Sequence, residues 1–286
     1  MSTETHQSFL DVPYAKYGDR ELVLDVFLPA KPEGPLPVIL VVAGGGWRSG
    51  RKEGTPARYT KRGFAVVGIC YRGSKEVIAP GNVHDCKAAV RWIRANAATY
   101  GFDTSRIGVF GGSAGGQLAG LLGMTAGVKE LEGEGGNPEF DSSVHAVCDV
   151  CGPSDITRIG IPKYKEGYPS LYEMTAEYLG GPVEENMNLA RLVSPLNYID
   201  SAKNIPPYIF IHGDSDEAVP VDESWVFFEA LRERGVNVQL RILNGVKHAI
   251  PWDEEDNTIQ SFFERIFMKK GEEPSLADDA ILRPTK

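Results

Sequence analysis

Long apolar runs are missing from this sequence. No stretch approaches the roughly 18 consecutive apolar residues that a membrane-spanning helix requires, so no membrane partner is expected. Basic clusters are scarce as well. With a net charge of −9 and a pI near 5.2, the chain offers no electrostatic footprint for nucleic acid or an anionic lipid surface. Arg48, Arg51 and Lys52 flank one loop, and Lys269-Lys270 reads as a helix end. Cysteine occurs four times, at Cys70, Cys86, Cys148 and Cys151, too sparsely to staple a chain of 286 residues. Cys148-x-x-Cys151 has the spacing of a redox or metal-binding pair, but a second ligand pair is missing and the proline turn that follows is no helix start. Buried or strand-end thiols are the reading, and no metal or organic cofactor is required. Met1 to Gln7 shows no basic segment leading into an apolar one. The expected location is therefore cytoplasmic, or extracellular if a leader has been removed. No internal repeat is evident.

What is present is an alternation of short apolar strands and helix-length segments. Glu21 to Leu28 alternates as a half-buried strand ended by Pro29. Val38 to Val42 is a continuous apolar run that suits a central strand covered on both faces. A helix is expected over Thr55 to Arg62 and a strand over Phe64 to Cys70. His84 to Ala98 carries Cys86, Ala89, Val90, Ile93 and Ala97 on one helical face. Further strands are read at Ile107 to Phe110, Val144 to Val150, Tyr208 to His212 and Val238 to Ile242, with a last helix over Thr258 to Met268. Strands separated by helices imply an α/β fold with a mostly parallel sheet covered by helices on both faces. The organisation expected is an N-terminal extension over 1–20, in which His6 is frayed, a main domain over 21–270 and a tail over 271–286. Glu130 to Phe140 reads as a solvated loop. The segment 153–195, polar and rich in tyrosine (Tyr164, Tyr168, Tyr172, Tyr178), reads as a small helical insertion above the C-terminal edge of the sheet, where ligands bind in such folds.

Between a strand and a small-residue helix start stands Gly111-Gly112-Ser113-Ala114-Gly115, a G-x-S-x-G pattern. By itself it is a glycine-rich turn; in this context it can lift a serine hydroxyl above the sheet. A serine needs a base and an acid that orients the base. Of five histidines, His84 opens a helix, His145 starts a strand and His212 is placed to hold a loop together. His248 lies in the turn between the last strand and the last helix, at the same sheet edge as Ser113, and is the chosen base. Asp214, Asp216 and Glu217 in the preceding loop are candidate acids, and composition does not rank them firmly. Ala114 supplies one backbone amide for an oxyanion, and the loop Ala43-Gly44-Gly45-Gly46-Trp47 can bring others close. A phosphate loop is excluded, since neither G-x-x-x-x-G-K-S/T nor a complete G-x-G-x-x-G unit is present.

These pieces resemble α/β-hydrolase esterases of the hormone-sensitive-lipase and bacterial feruloyl or acetyl-xylan esterase type. The resemblance is carried by Gly44-Gly45-Gly46-Trp47, Tyr71-Arg72, the segment from His84 to Ile93, Gly111 to Gly116, His212-Gly213 with Asp216 and Val219-Pro220, and Lys247-His248. It implies an α/β-hydrolase fold with Ser113 as nucleophile, His248 as base and Asp216 as acid. It further implies an oxyanion hole from the amides of Gly45, Gly46 and Ala114, and a structural Asp85 near Arg72 or the glycine loop. Trp47 and Tyr71 are expected to line the substrate pocket. One departure stands out: the family usually has histidine before the glycines, and this chain has Ala43.

The expected activity is hydrolysis of short-chain acyl esters, including acetylated or feruloylated carbohydrate, by a monomer or homodimer. An amidase such as an arylformamidase-like enzyme is the alternative, and a non-catalytic binding protein on the same fold is a second.

Overall fold

The computed structural model describes residues 6–52, 55–159, 166–248, 252–269 and 281–282. Nine strands, β1 (His6–Tyr17), β2 (Arg20–Pro29), β3 (Leu36–Val42), β4 (Ala65–Ile69), β5 (Phe102–Gly112), β6 (Ala146–Val150), β7 (Tyr208–Gly213), β8 (Val238–Leu243) and the short β9 (Ile281–Leu282), form one sheet in the order β1-β2-β4-β3-β5-β6-β7-β8-β9. β2 runs antiparallel to β1 and β4, and the remaining pairs are parallel. The longer helices are α1 (Gly81–Ala95), α2 (Ala114–Met124), α3 (Pro169–Leu179), α4 (Asp222–Glu233) and α5 (Trp252–Met268).

The continuous apolar strands are explained by a core on each face of the sheet. Val38, Leu40 and Val42 of β3 pack into the larger cluster with Val90 and Ile93 of α1 and Leu118 of α2. Ile39 between them joins Phe262 and Phe263 of α5 on the opposite face. Alternate side chains point to opposite faces, so a strand buried on both sides loses its polar alternation. Both surfaces of β3 are thereby withdrawn from water, and its C-terminal end is left free to deliver the glycine loop.

Several expectations are corrected. His6 to Tyr17 is not a frayed extension but the edge strand of the sheet, joined to β2 through a turn at Gly18-Asp19 that brings Tyr17 opposite Arg20. Its outward residues are mostly exposed, which erased the apolar pattern. Ala57–Arg62 is a 3-10 helix, shorter than the expected helix over 55–62, and α5 begins before Thr258. Glu130 to Phe140 is a solvated loop only in part: residues 133–140 are irregular and exposed at Glu134 and over 138–140, but Lys129–Glu132 forms a helical turn, Leu131 is buried, and Glu132 pairs with the buried Lys87 at 2.7 Å and Arg91 at 3.1 Å.

The segment 153–195 does carry helices, namely Ile156–Ile159, α3 and Met187–Leu192. Tyr164, Lys270 and the tail apart from β9 lie outside the described residues. Among the described residues no helix is long and apolar enough to cross a membrane. Cys86, Cys148 and Cys151 are buried thiols, and Cys70 is half-buried.

Candidate active site

β5 ends at Gly112 and α2 begins at Ala114, leaving Ser113 alone at the turn with φ 55° and ψ −125°. A non-glycine residue there carries strain of about 1–3 kcal/mol and persists only where its surroundings fix it. The Ser113 amide donates to Val150 O at 2.7 Å, and Ser113 O accepts from the Gly116 amide at 2.8 Å. The turn is also too tight for side chains on either side: a Cβ on Gly111 would lie 2.1 Å from Gly115 O, and one on Gly115 would lie 2.1 Å from Val42 O. The spacing of small residues around Ser113 is thus a steric requirement of bringing β5, β3 and α2 together.

The loop after β8 brings His248 to this turn. His248 Nε2 lies 3.0 Å from Ser113 Oγ, and Nδ1 lies 2.8 Å from Asp216 Oδ2. A carboxylate can only accept, so Nδ1 carries the proton and donates, leaving Nε2 to accept from the Ser113 hydroxyl. Asp216 is held from two further directions. Its Oδ1 accepts the amides of Ala218 and Val219, each at 2.8 Å. Its Oδ2 lies 3.2 Å from His212 Nε2. Burial pushes the Asp216 carboxyl up, but the hydrogen bonds from His212, His248 and the Val219 amide outweigh it and hold the group well below the usual carboxylate range. It is therefore an anion positioned to stabilise an imidazolium.

His212 has a closer connection to the acid than its loop-holding role implied. Its Nε2 faces two acceptors, Val219 O at 3.0 Å and Asp216 Oδ2, while Nδ1 accepts from Ser224 Oγ at 2.7 Å. Asp214 points elsewhere, accepting the Gly245 amide at 2.7 Å and so tying together the loops after β7 and β8. His84 contacts Glu130 O and His145 accepts from the Ile107 amide, both distant from Ser113 in sequence and in role. His6 lies in β1. Among the described residues, Cys151, Asp216 and His248 also place one ligand atom each within 4.8 Å of one another. Burial pushes the Cys151 thiol up, however, and the other two groups are already engaged in the chain to Ser113. This donor set suits proton transfer better than metal coordination.

Two cavities flank Ser113 and share His248. The smaller, about 280 Å³, is lined by Gly45, Gly46, Trp47 and Ala114 together with apolar side chains from α3 and the loop after β7. Ala114 is the first helical residue of α2, and the first amides of a helix have no partner within it. The larger, about 310 Å³, is lined by Ala43, Gly44, Phe110 and Cys151 and reaches Arg51, Arg58 and Asp256.

Trp47 lines the smaller cavity but is itself anchored, donating from Nε1 to Gln117 Oε1 at 2.9 Å. The expectation that Tyr71 lines the pocket needs correction. It is buried, absent from both cavity walls, and donates its hydroxyl to Ala43 O at 2.9 Å from behind the loop. Asp85 grips Arg72, whose Nη2 lies 2.7 Å from Oδ1 and whose amide lies 2.9 Å from Oδ2.

The sheet order, the turn at Ser113 and the loops that meet there define the α/β-hydrolase class. Residues 24–231 match the BD-FAE family, and the chain belongs to it. The Mycobacterium tuberculosis esterase LipQ is 32% identical over 232 residues, which is 79% of this chain and 53% of LipQ. The chain thus spans about half the length of the curated relatives it matches. A truncated carbohydrate esterase from gut microbiota aligns over 92% of this chain and 98% of its own, with 29% identity and a TM-score of 0.81. Esterase 2 of Thermogutta terrifontis, solved phosphonylated by sarin, aligns over 94% and 98% with 25% identity and a TM-score of 0.77. The same esterase with butyrate bound aligns over 95% and 98% at 25% identity and a TM-score of 0.75.

Proposed function

We propose that this protein is a serine carboxylesterase acting on short-chain acyl esters of hydroxylated alcohols, acetylated carbohydrate foremost. The observation that carries the reading is the unbroken hydrogen-bonded chain from Ser113 Oγ through His248 to Asp216. His248 Nε2 takes the hydroxyl proton as Ser113 Oγ bonds to the ester carbonyl carbon. The amides of Gly45, Gly46 and Ala114 receive the resulting oxyanion, and the Asp216 carboxylate stabilises the imidazolium. Collapse of the tetrahedral adduct breaks the bond to the alcohol, which leaves with the proton from His248. Water then gives its proton to His248 and attacks the acyl-enzyme, releasing the carboxylic acid and restoring Ser113. The family membership, the butyrate bound to the Thermogutta esterase and the carbohydrate esterase neighbour support the substrate class.

The test is a hydrolysis panel of p-nitrophenyl acetate, butyrate and octanoate, acetyl-xylan, methyl ferulate and N-formylkynurenine, run beside Ser113→Ala. Turnover of acetyl esters that falls by about 10³-fold or more in the variant is expected. Equal rates for both proteins on every substrate turned over would overturn the assignment of Ser113. Turnover confined to N-formylkynurenine would replace the esterase by an amidase.

A further inference from the structure

We infer that Met174 sets the length of the acyl group, by closing the chamber into which the ester's acyl carbons point; this rests on the esterase reading above. Of the two cavities beside Ser113, the smaller one holds the amides assigned to the oxyanion, and its remaining wall includes Leu171 and Met174 of α3 and Val219. That lining is hydrocarbon and sulfur. The walls of the other cavity are also largely apolar, with Val41, Val42, Pro56 and Phe110 among them, but it reaches Arg51 and the ion pair of Arg58 with Asp256, charged groups whose water an alkyl chain would displace without replacing its hydrogen bonds. A hydroxylated alcohol can replace that water. The acyl group therefore takes the chamber with no charged side chain from Arg, Lys, Asp or Glu among the described residues of its lining, and the alcohol takes the one that has them.

Met174 closes the apolar chamber against the glycine loop itself. A Cβ on Gly46 would come within 2.0 Å of Met174 Sδ, so the sulfur packs directly on the backbone of Gly46. The helix that carries Met174 is fastened to the same loop. Arg48 makes two hydrogen bonds of 2.7 Å to Glu177, and Trp47 stacks on Tyr178 with ring centroids 4.6 Å apart. An acyl chain too long for the chamber must displace either the thioether, which is flexible, or Gly46, whose amide is assigned to the oxyanion. Length is thus read in kcat as well as in KM, because displacement of the loop weakens transition-state stabilisation and not binding alone.

The experiment measures kcat and KM for p-nitrophenyl acetate, butyrate, hexanoate and octanoate with the unmodified protein, Met174→Ala and Met174→Phe. In M174A the octanoate-to-acetate ratio of kcat/KM is expected to rise about tenfold or more, the gain from sheltering two or three further methylenes. In M174F the butyrate-to-acetate ratio is expected to fall. Ratios that stay unchanged in both variants, or that move in the same direction in both, overturn the inference, since the second pattern reports a general loosening of the loop. No turnover of any ester by the unmodified protein overturns the esterase reading and this inference with it, whereas turnover with unaltered ratios overturns this inference alone.

Discussion

Tyr71 donates its hydroxyl to the carbonyl of Ala43 at 2.9 Å, and through that bond a side chain from beyond β4 fixes the loop that carries Gly45 and Gly46. The same hydroxyl lies 3.4 Å from Gly44 O. Burial pushes the phenol up beyond any working pH, so Tyr71 remains a donor throughout. The resemblance that led to an expectation of histidine before the glycines therefore meets a loop braced from the other side. Tyr71→Phe removes the donor and leaves half-buried carbonyls short of a partner, at a cost of about 1 kcal/mol in stability. If the brace positions the amides, kcat falls about tenfold with little change in KM. A variant with lowered melting temperature and unaltered kcat would show that the bond serves folding only.

Ala43 has a second consequence, because it lines the larger cavity next to Phe110 and Cys151. An imidazole in its place would occupy room that the alcohol portion of the ester needs. For Ala43→His, kcat/KM on acetyl-xylan is expected to fall about tenfold relative to methyl acetate, an overpacking effect confined to the bulky leaving group. Equal changes on both substrates would assign the effect to the oxyanion loop instead.

Asp216 and Asp214 stand two residues apart but in different environments. Asp216→Asn removes the acceptor for His248 Nδ1–H and breaks the contact with His212 Nε2. The amide offers its own N–H to both rings, favouring the wrong tautomer of His248, and a fall in kcat of about 10⁴-fold is expected. Asp214→Asn alters an exposed brace to Gly245 and is expected to change kcat by about twofold at most. The pair of variants, assayed on p-nitrophenyl acetate with melting temperatures alongside, reverses the assignment if D214N is the slower enzyme.

The parts of this molecule that were legible in the sequence are those governed by local sterics and periodicity. Gly111 and Gly115 announce the turn at Ser113 because no other residue fits there, and the five apolar residues of Val38 to Val42 announce a strand buried on both faces. His248 could be placed at the correct sheet edge from topology alone. What was not legible depends on long-range contact. β1 hid its pattern by exposing one side to solvent, although Gly18-Asp19 is a hairpin signal that could have found it. Glu132 looked solvated because its cations, Lys87 and Arg91, lie on α1. The position of Tyr71 behind the glycine loop, and of Met174 in front of it, depends on how β4 and α3 return to β3. Neither is written in local spacing.

A buried carboxyl beneath the nucleophile turn gives the chain a pH dependence of its own. Burial pushes Asp149 up to about 7, against the opposing hydrogen bond from the Gly152 amide to Oδ1 at 2.9 Å. Among the described residues Oδ2 has no hydrogen-bond partner. The groups around it, Tyr208, Cys148 and Cys151, are themselves pushed up by burial and stay neutral across this range. An unfolded aspartate titrates near about 3.9. Between about pH 4 and pH 7 the folded chain therefore holds a proton that the unfolded chain has released, and stability falls as pH rises through that window. Asp149→Asn keeps the shape and the acceptor for Gly152 but cannot ionise. The variant is expected to gain stability relative to the unmodified protein as pH increases, by a few kcal/mol at most at pH 8. Asp216, held low, has the opposite pH dependence, but it is common to both proteins and cancels in their difference. Urea unfolding at pH 5 and pH 8 measures that difference, and a gap that does not widen with pH removes Asp149 as its source. Activity should respond only where the folded carboxyl itself ionises, near pH 7, and not across the whole stability window: a Cβ on Gly116 or Gly152 would lie 2.2 Å or 2.4 Å from Asp149 Oδ1, so a charge on that carboxyl bears directly on the start of α2 and on the backbone that holds Ser113.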